Sequence, residues 1–437
     1  MTCLAEESLD TAIDQHRSSE LIDRMLSAMG ELRRVLLLPP DFSRRHSGAS
    51  ELTVQLYERL RRSARVEIMP AIGTHAPMTP DEITTMFPGI PHSVFRAHNW
   101  RSELAHLGDV PAGFVREVTQ CRVDFPISCE INRNLCEGNW GRIISIGQLV
   151  PHEVAGIANH SKNIFVGVGG EDTINKTHFI GAICDLETTL GRIQTPVRAV
   201  FDYMAANFAR DLPITYLLTV RARDATGTVT TRGLYAGDDN DCFLRGARLC
   251  RQVNLDLLDE PITKAVVYLE PSEYKSTWLG NKAIYRTRLA LADDGELIVV
   301  APGVSTFGED PEIDRLIRKY GYRGAASTLA AVNANRDLAE HLAAAAHLIH
   351  GSAEGRFRIT YCPGGLSREE IKSVGFGFAD PDEMARRYDL PRRRDGWDNV
   401  NGERIFCISN PGLGLWALRS KFAAAEAPGV TRDDHAG

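Results

Sequence analysis

Val35-Leu36-Leu37-Leu38-Pro39-Pro40 is a short, wholly apolar run closed by a proline pair, and it reads as a buried strand. Val66-Glu67-Ile68-Met69 reads as a second strand, with a helix over Ala49 to Arg62 between the two. Upstream, Arg17 to Arg33 carries Leu21, Ile22, Met25, Leu26 and Met29 along one side of a helix. Downstream, Thr79-Pro80-Asp81-Glu82 opens another: Thr79 caps, Pro80 takes the first turn and Glu82 closes a capping box. Strand, helix, strand in this order predicts an α/β domain with a mainly parallel sheet. Arg142-Ile143-Ile144-Ser145-Ile146-Gly147 supplies a further buried strand.

Parallel sheets gather ligands at the carboxyl ends of their strands. The residues just past the three runs are therefore the informative ones. They are Asp41-Phe42-Ser43-Arg44, Gly73-Thr74-His75 and Pro151-His152. Three separate loops are expected to converge on one sheet edge.

A second α/β set begins near residue 265. Ala265 to Leu269, Leu297 to Val300, Phe357 to Tyr361 and Phe406 to Ile408 read as strands. Trp278 to Leu291 and Leu338 to His350 read as helices. The expected division is an N-terminal domain over 1–262, whose residues from about 186 bridge the halves, and a C-terminal domain over 263–422. A disordered tail is expected over 423–437, and the active site is expected in a cleft between two α/β domains.

At 437 residues the chain is too long for one ordinary core. Its 43% hydrophobic and 24% charged residues are those of a soluble globular protein. A net charge of −7 without a basic stripe excludes nucleic acid as the natural partner. No run approaches the roughly 18 apolar residues that span a bilayer, so no membrane partner is expected. Met1 to Asp10 carries three acids and no apolar core of a secretory signal. Nine cysteines without a CxxC pair read as reduced thiols, and a cytoplasmic protein is expected. Oligomeric state is not legible.

Several side chains in the strand-end loops carry chemistry. Arg44 can fork onto a carboxylate or phosphate, with Asp41 orienting it or accepting from a hydroxyl. His75 can take or deliver a proton near neutrality. His152, Lys162 and His178 follow the Arg142–Gly147 strand within a Gly-rich segment. Two imidazoles suit a transition metal. Lys162 adds what a metal site does not need: a lysine there grips phosphate or bonds covalently to a cofactor. His160 reads as a polar neighbour. His341, His347 and His350, on an Ala-rich helix, read as solvent-exposed. Neither a Walker loop nor a GxGxxG after a strand is present.

With these residues in view, the chain resembles the nickel-dependent lactate racemase family, best over about 34 to 185. The family's D-x-T-R element is met by Asp41-Phe42-Ser43-Arg44, and its G-T-H-x-P-M-T element by Gly73 to Thr79. Its P-H followed by a spaced lysine and histidine is met by His152, Lys162 and His178. The resemblance implies a nickel-pincer nucleotide, pyridinium-3-thioamide-5-thiocarboxylate mononucleotide with nickel. It implies that Lys162 joins the cofactor through a thioamide and that His178 ligates nickel. His75 and His152 would serve as acid and base on opposite faces of the substrate, with Asp41, Arg44 and Lys282 holding cofactor phosphate or substrate carboxylate. The implied activity is racemisation or epimerisation at C2 of a small-molecule 2-hydroxy acid by reversible hydride transfer.

Two departures stand out. Where the family writes G-Y-S-G-G-R-K, this chain has Gly156-Ile157-Ala158-Asn159-His160-Ser161-Lys162. The family's Q-x-x-K is met only by Lys282, with Leu279 in the glutamine's place. Both point to a substrate larger than lactate. The alternatives are a His-ligated metal-dependent hydrolase and a non-catalytic cofactor- or nucleotide-binding protein on the same scaffold.

Overall fold

Every residue of the Arg34–Leu38 strand after Arg34 is fully buried, which is why the run shows no polar alternation. It lies inside a six-stranded sheet, flanked in parallel by Arg65–Ile68 and Arg142–Leu149. The order continues through Ile214–Arg223, parallel to Arg142–Leu149, and then Val229–Gly237 and Leu4–Glu7, both antiparallel to their neighbours. The computed structural model describes residues 1–224, 227–390, 393–412 and 414–424. Of the tail expected from Ala423, residues 425–437 lie outside the described residues, and Arg419–Ala424 is helical.

The chain divides into two compact units at Asn254/Leu255. The stretch from 186 is more than a bridge. Ile214–Arg223 and Val229–Gly237 complete the first unit's own sheet, and the amphipathic helix Asn240–Asn254 packs on them. Leu255–Leu258 instead pairs in parallel with Leu415–Leu418, which ties it to the second unit.

Local chemistry accounts for the element ends. The first helix runs Gln15–Met29, with Asp14 accepting from the Arg17 amide at 2.9 Å. It stops at Gly30, whose φ of 71° favours glycine. Leu21, Ile22 and Met25 pack inward beside Leu52 and Leu56 of the helix Ala49–Leu60. The capping box at Thr79 is formed, with Pro80 leading the helix Pro80–Met86.

The second unit holds its own six-stranded sheet, parallel except at one edge. Its order is Gly377–Phe378, Arg358–Pro363, Leu291–Ala301, Ile262–Tyr268, Glu403–Ile408 and Gly396–Val400, the last pairing antiparallel. The mixed α/β, mainly parallel architecture expected from the sequence is thus present in both units.

Two helices read from the sequence are broken here. The stretch from Trp278 gives two short turns, Thr277–Gly280 and Lys282–Tyr285. At the break the Asn281 side chain turns into the core, 3.3 Å from His347 Nε2. The other divides into Arg336–Ala339 and Leu342–His350. The expected exposure of His347 and His350 is overturned: both are buried. Leu342–His350 is apolar almost all round, so it sits inside the unit. His347 stacks on Trp278, and its Nε2 lies 2.9 Å from the Tyr322 hydroxyl.

Candidate active site

Three adjacent parallel strands end side by side, and the chain beyond each bears a candidate side chain: Asp41 and Arg44, His75, and His152. The loops are tied to one another by backbone bonds. Ala71 N–H donates to Pro39 O at 2.7 Å, and Gly73 N–H donates to Gly167 O at 2.9 Å. Asn163 fixes the lysine-bearing segment from beneath. Its side-chain amide donates to Leu38 O at 3.3 Å and to Ser145 Oγ at 2.9 Å, so Lys162 adjoins the carboxyl end of the Arg34–Leu38 strand. A π-helical turn over Asn163–Gly167 follows, a distortion that recurs at functional sites.

Each of three histidines is oriented by a different partner, and partner chemistry decides its tautomer. His75 Nδ1 lies 2.5 Å from Asp41 Oδ2. Burial works against the Asp41 carboxylate, but hydrogen bonds from His75 and Ser43, together with the Arg44 charge, hold it below its ordinary range. An ionised carboxylate only accepts, so His75 donates Nδ1–H and keeps a basic Nε2. His178, on the helix Glu171–Ile183, donates Nδ1–H to Ile174 O at 2.6 Å, which also leaves an Nε2 lone pair. His152 is the reverse: its Nδ1 accepts from the amides of Val154 at 3.0 Å and Ala155 at 3.4 Å. The neutral ring therefore carries its proton on Nε2.

The electrostatics of the cluster are mutual. His152 is buried and driven well below the usual imidazole range, chiefly by desolvation; Glu153 opposes this, while Lys162, Arg44 and His178 add to it. Desolvation and the Arg44 charge bring the Lys162 amine down to about 8, with Arg198 adding to the effect and Glu153 resisting it. Desolvation and Lys162 bring His178 down to about 4. A lysine so shifted has a usable fraction of neutral, nucleophilic amine near pH 7 to 8.

His160 takes a different place. Its ring packs on Tyr216 and Phe243 with centroids 3.8 Å and 5.4 Å away, and neither nitrogen makes a hydrogen bond of good geometry. Desolvation and Arg198 lower it to about 3. Between about pH 3 and 6.5 the unfolded chain binds a proton that folded His160 refuses, so falling pH favours unfolding across that window. Replacing His160 by Phe is expected to flatten the rise of stability with pH there, as read by thermal melts. An unaltered slope would refute this.

His98 is a buried brace between Gly169 O at 3.0 Å and the Asn132 amide at 3.1 Å. Lys282 belongs to the second unit, where its ammonium lies 5.7 Å from the Tyr274 ring centre. Leu279 precedes it in the adjoining turn Thr277–Gly280. Sequence reading missed Asn163 and Arg198. A polar residue directly after the lysine, and an arginine among Val197, Val200, Phe201 and Met204, were the available signals.

Among the described residues, no group of three or more His, Cys, Asp or Glu side chains is arranged to hold a metal ion. A metal here needs donors brought by another group. What the site offers such a group is one depressed amine, at Lys162, and one imidazole lone pair, at His178. None of the nine cysteines is in a disulfide. No described helix is long and apolar enough to cross a membrane.

Comparison with known proteins agrees with this architecture. No curated protein matches the chain in sequence. A crystal structure of a Thermotoga maritima protein from a structural genomics consortium superposes with a TM-score of 0.81 at 22% identity, covering 95% of this chain and 100% of that one. The lactate racemase apoprotein of Thermoanaerobacterium thermosaccharolyticum superposes with a TM-score of 0.68 at 16% identity, covering 94% of each chain. These two likenesses establish a shared fold. The lactate racemase N-terminal domain family matches residues 3–191, the span that holds Asp41, Arg44, His75, His152, Lys162 and His178. Over residues 3–191 this chain is similar to the lactate racemase N-terminal domain.

Proposed function

We propose that the protein is a racemase or epimerase that inverts C2 of a 2-hydroxy acid larger than lactate, using a nickel-pincer nucleotide. The observation that carries this reading is the set of three histidine settings beside one depressed lysine. The bound cofactor would accept and return the C2 hydride, a chemistry no side chain supplies. Everything else falls to this chain.

Lys162 would anchor the cofactor through its amine, and His178 would offer Nε2 to nickel. His75 takes the hydroxyl proton on Nε2 while Asp41 holds Nδ1–H and stabilises the imidazolium that forms. His152 donates Nε2–H to the substrate oxygen and steadies the charge that develops there. The Val154 and Ala155 amides disfavour a proton on His152 Nδ1. Arg44 supplies a cation for substrate carboxylate or cofactor phosphate. Hydrolysis at a metal held by side chains alone finds no ligand set among the described residues.

The test is a screen of 2-hydroxy acids for loss of optical purity, using protein made beside the cofactor-building enzymes. Inversion of at least one acid supports the proposal. Cofactor-loaded protein that inverts none favours a non-catalytic carrier. A narrower check concerns the metal: His178→Ala is expected to lose most of its nickel, and unchanged nickel per chain would show that the assigned ligand is wrong.

A further inference from the structure

We propose that Arg198 is a positioning residue that sets the Ile157–Ser161 loop and, through it, the place of Lys162. This deepens the function proposed above and rests on it only for the role given to Lys162.

Arg198 lies on the helix Pro196–Phe208 and is 3% exposed. Among the described residues, every hydrogen bond of its guanidinium falls on that loop. Nη2 donates to Ile157 O at 2.6 Å and to Asn159 O at 3.4 Å; Nη1 donates to Ser161 Oγ at 2.9 Å and to Asn159 O at 3.4 Å. Its planar face lies 4.1 Å from the Phe243 ring centre. A buried guanidinium that no carboxylate hydrogen-bonds is expensive to retain where an apolar side chain would fill the space. A planar fork closing on three alternate residues of one loop is a reason to retain it.

The loop needs such a clamp. Asn159 and His160 are consecutive left-handed residues, φ 67° and 58°, and neither is glycine. A side chain at Gly147 would collide with Asn159, so the strand beneath is also cut away to admit the bend. Ser161, held by the guanidinium, is joined directly to Lys162. Arg198 is also one of the charges that favour the neutral Lys162 amine.

The test uses the full chain without cofactor and follows acetylation of Lys162 by acetic anhydride across pH, read by peptide mass spectrometry with Lys176 as internal reference. In the wild-type chain labelling should rise through a midpoint of about 8. In Arg198→Met the midpoint should move upward by roughly one unit, giving about fivefold slower labelling at pH 8. Arg198→Lys, which keeps the charge but loses the fork, should fall between. If Arg198→Met melts at a lower temperature while the Lys162 profile is unchanged, the residue is merely structural and the proposal is overturned. If Arg198→Met does not fold, Ser161→Ala replaces it: a smaller upward shift supports the proposal, and an unchanged profile overturns it. Because no cofactor is present, a shifted profile stands even if the wild-type chain never acquires an adduct, and that second result would count against the cofactor reading alone.

Discussion

His75→Ala should lose turnover by about 10²- to 10⁴-fold, the usual worth of a positioned acid–base group, while retaining its cofactor. The reason is the geometry of one pair. Asp41 is buried, ionised and 2.5 Å from His75 Nδ1, so it fixes the ring with Nε2 free to take a proton. Asp41→Asn should reproduce much of the loss, because an amide can orient the ring but stabilises the imidazolium less and can select the other tautomer. Neither change touches Lys162 or His178, so adduct mass and nickel content should match the wild type. Full activity in both variants would rule out His75 as the base. Loss of cofactor together with activity would mean that the Asp41 loop holds the nucleotide rather than moving the proton.

Lys162→Ala should have a larger and different effect, with nickel and turnover disappearing together. On the proposed function the protein would contribute one imidazole to the metal, and no complete ligand set is present among the described residues. Retention would then depend on the covalent bond at Lys162. After desalting, Lys162→Ala should be free of nickel, whereas His75→Ala should not. Lys162→Arg is the sharper control, since it preserves positive charge without a nucleophilic amine. Nickel retained by either lysine variant at the wild-type level would contradict an anchoring role.

How far the sequence could be read differed from element to element for physical reasons. The Arg34–Leu38 and Arg142–Leu149 strands are largely buried on both faces, and their closely spaced apolar residues announced them. The capping box at Thr79 is local chemistry and was legible for that reason. Ile214–Arg223 and Val229–Gly237 were not read as strands because polar Thr and Arg residues interrupt the apolar pattern. Their place in the first sheet comes from pairing with residues far away in sequence. The helix carrying His347 and His350 was misread because histidine suggested a surface, although Ala and Leu on all sides argued for burial.

The candidate site was legible as residue types at strand ends. The tautomers were not, because each depends on a particular backbone or side-chain partner: Ile174 O for His178, the Val154 amide for His152 and Asp41 for His75. Arg198 was hidden for a similar reason. An arginine on an apolar helix face shows only that something polar lies opposite, and only the fold brings the Ile157–Ser161 loop there.

The most direct measurement is a tandem mass spectrum of the Lys162 peptide from wild-type protein made beside the cofactor-building enzymes. The account predicts a mononucleotide-derived adduct located on Lys162, with one nickel per modified chain in the intact protein. An unmodified Lys162 in protein that nonetheless inverts a 2-hydroxy acid would contradict it.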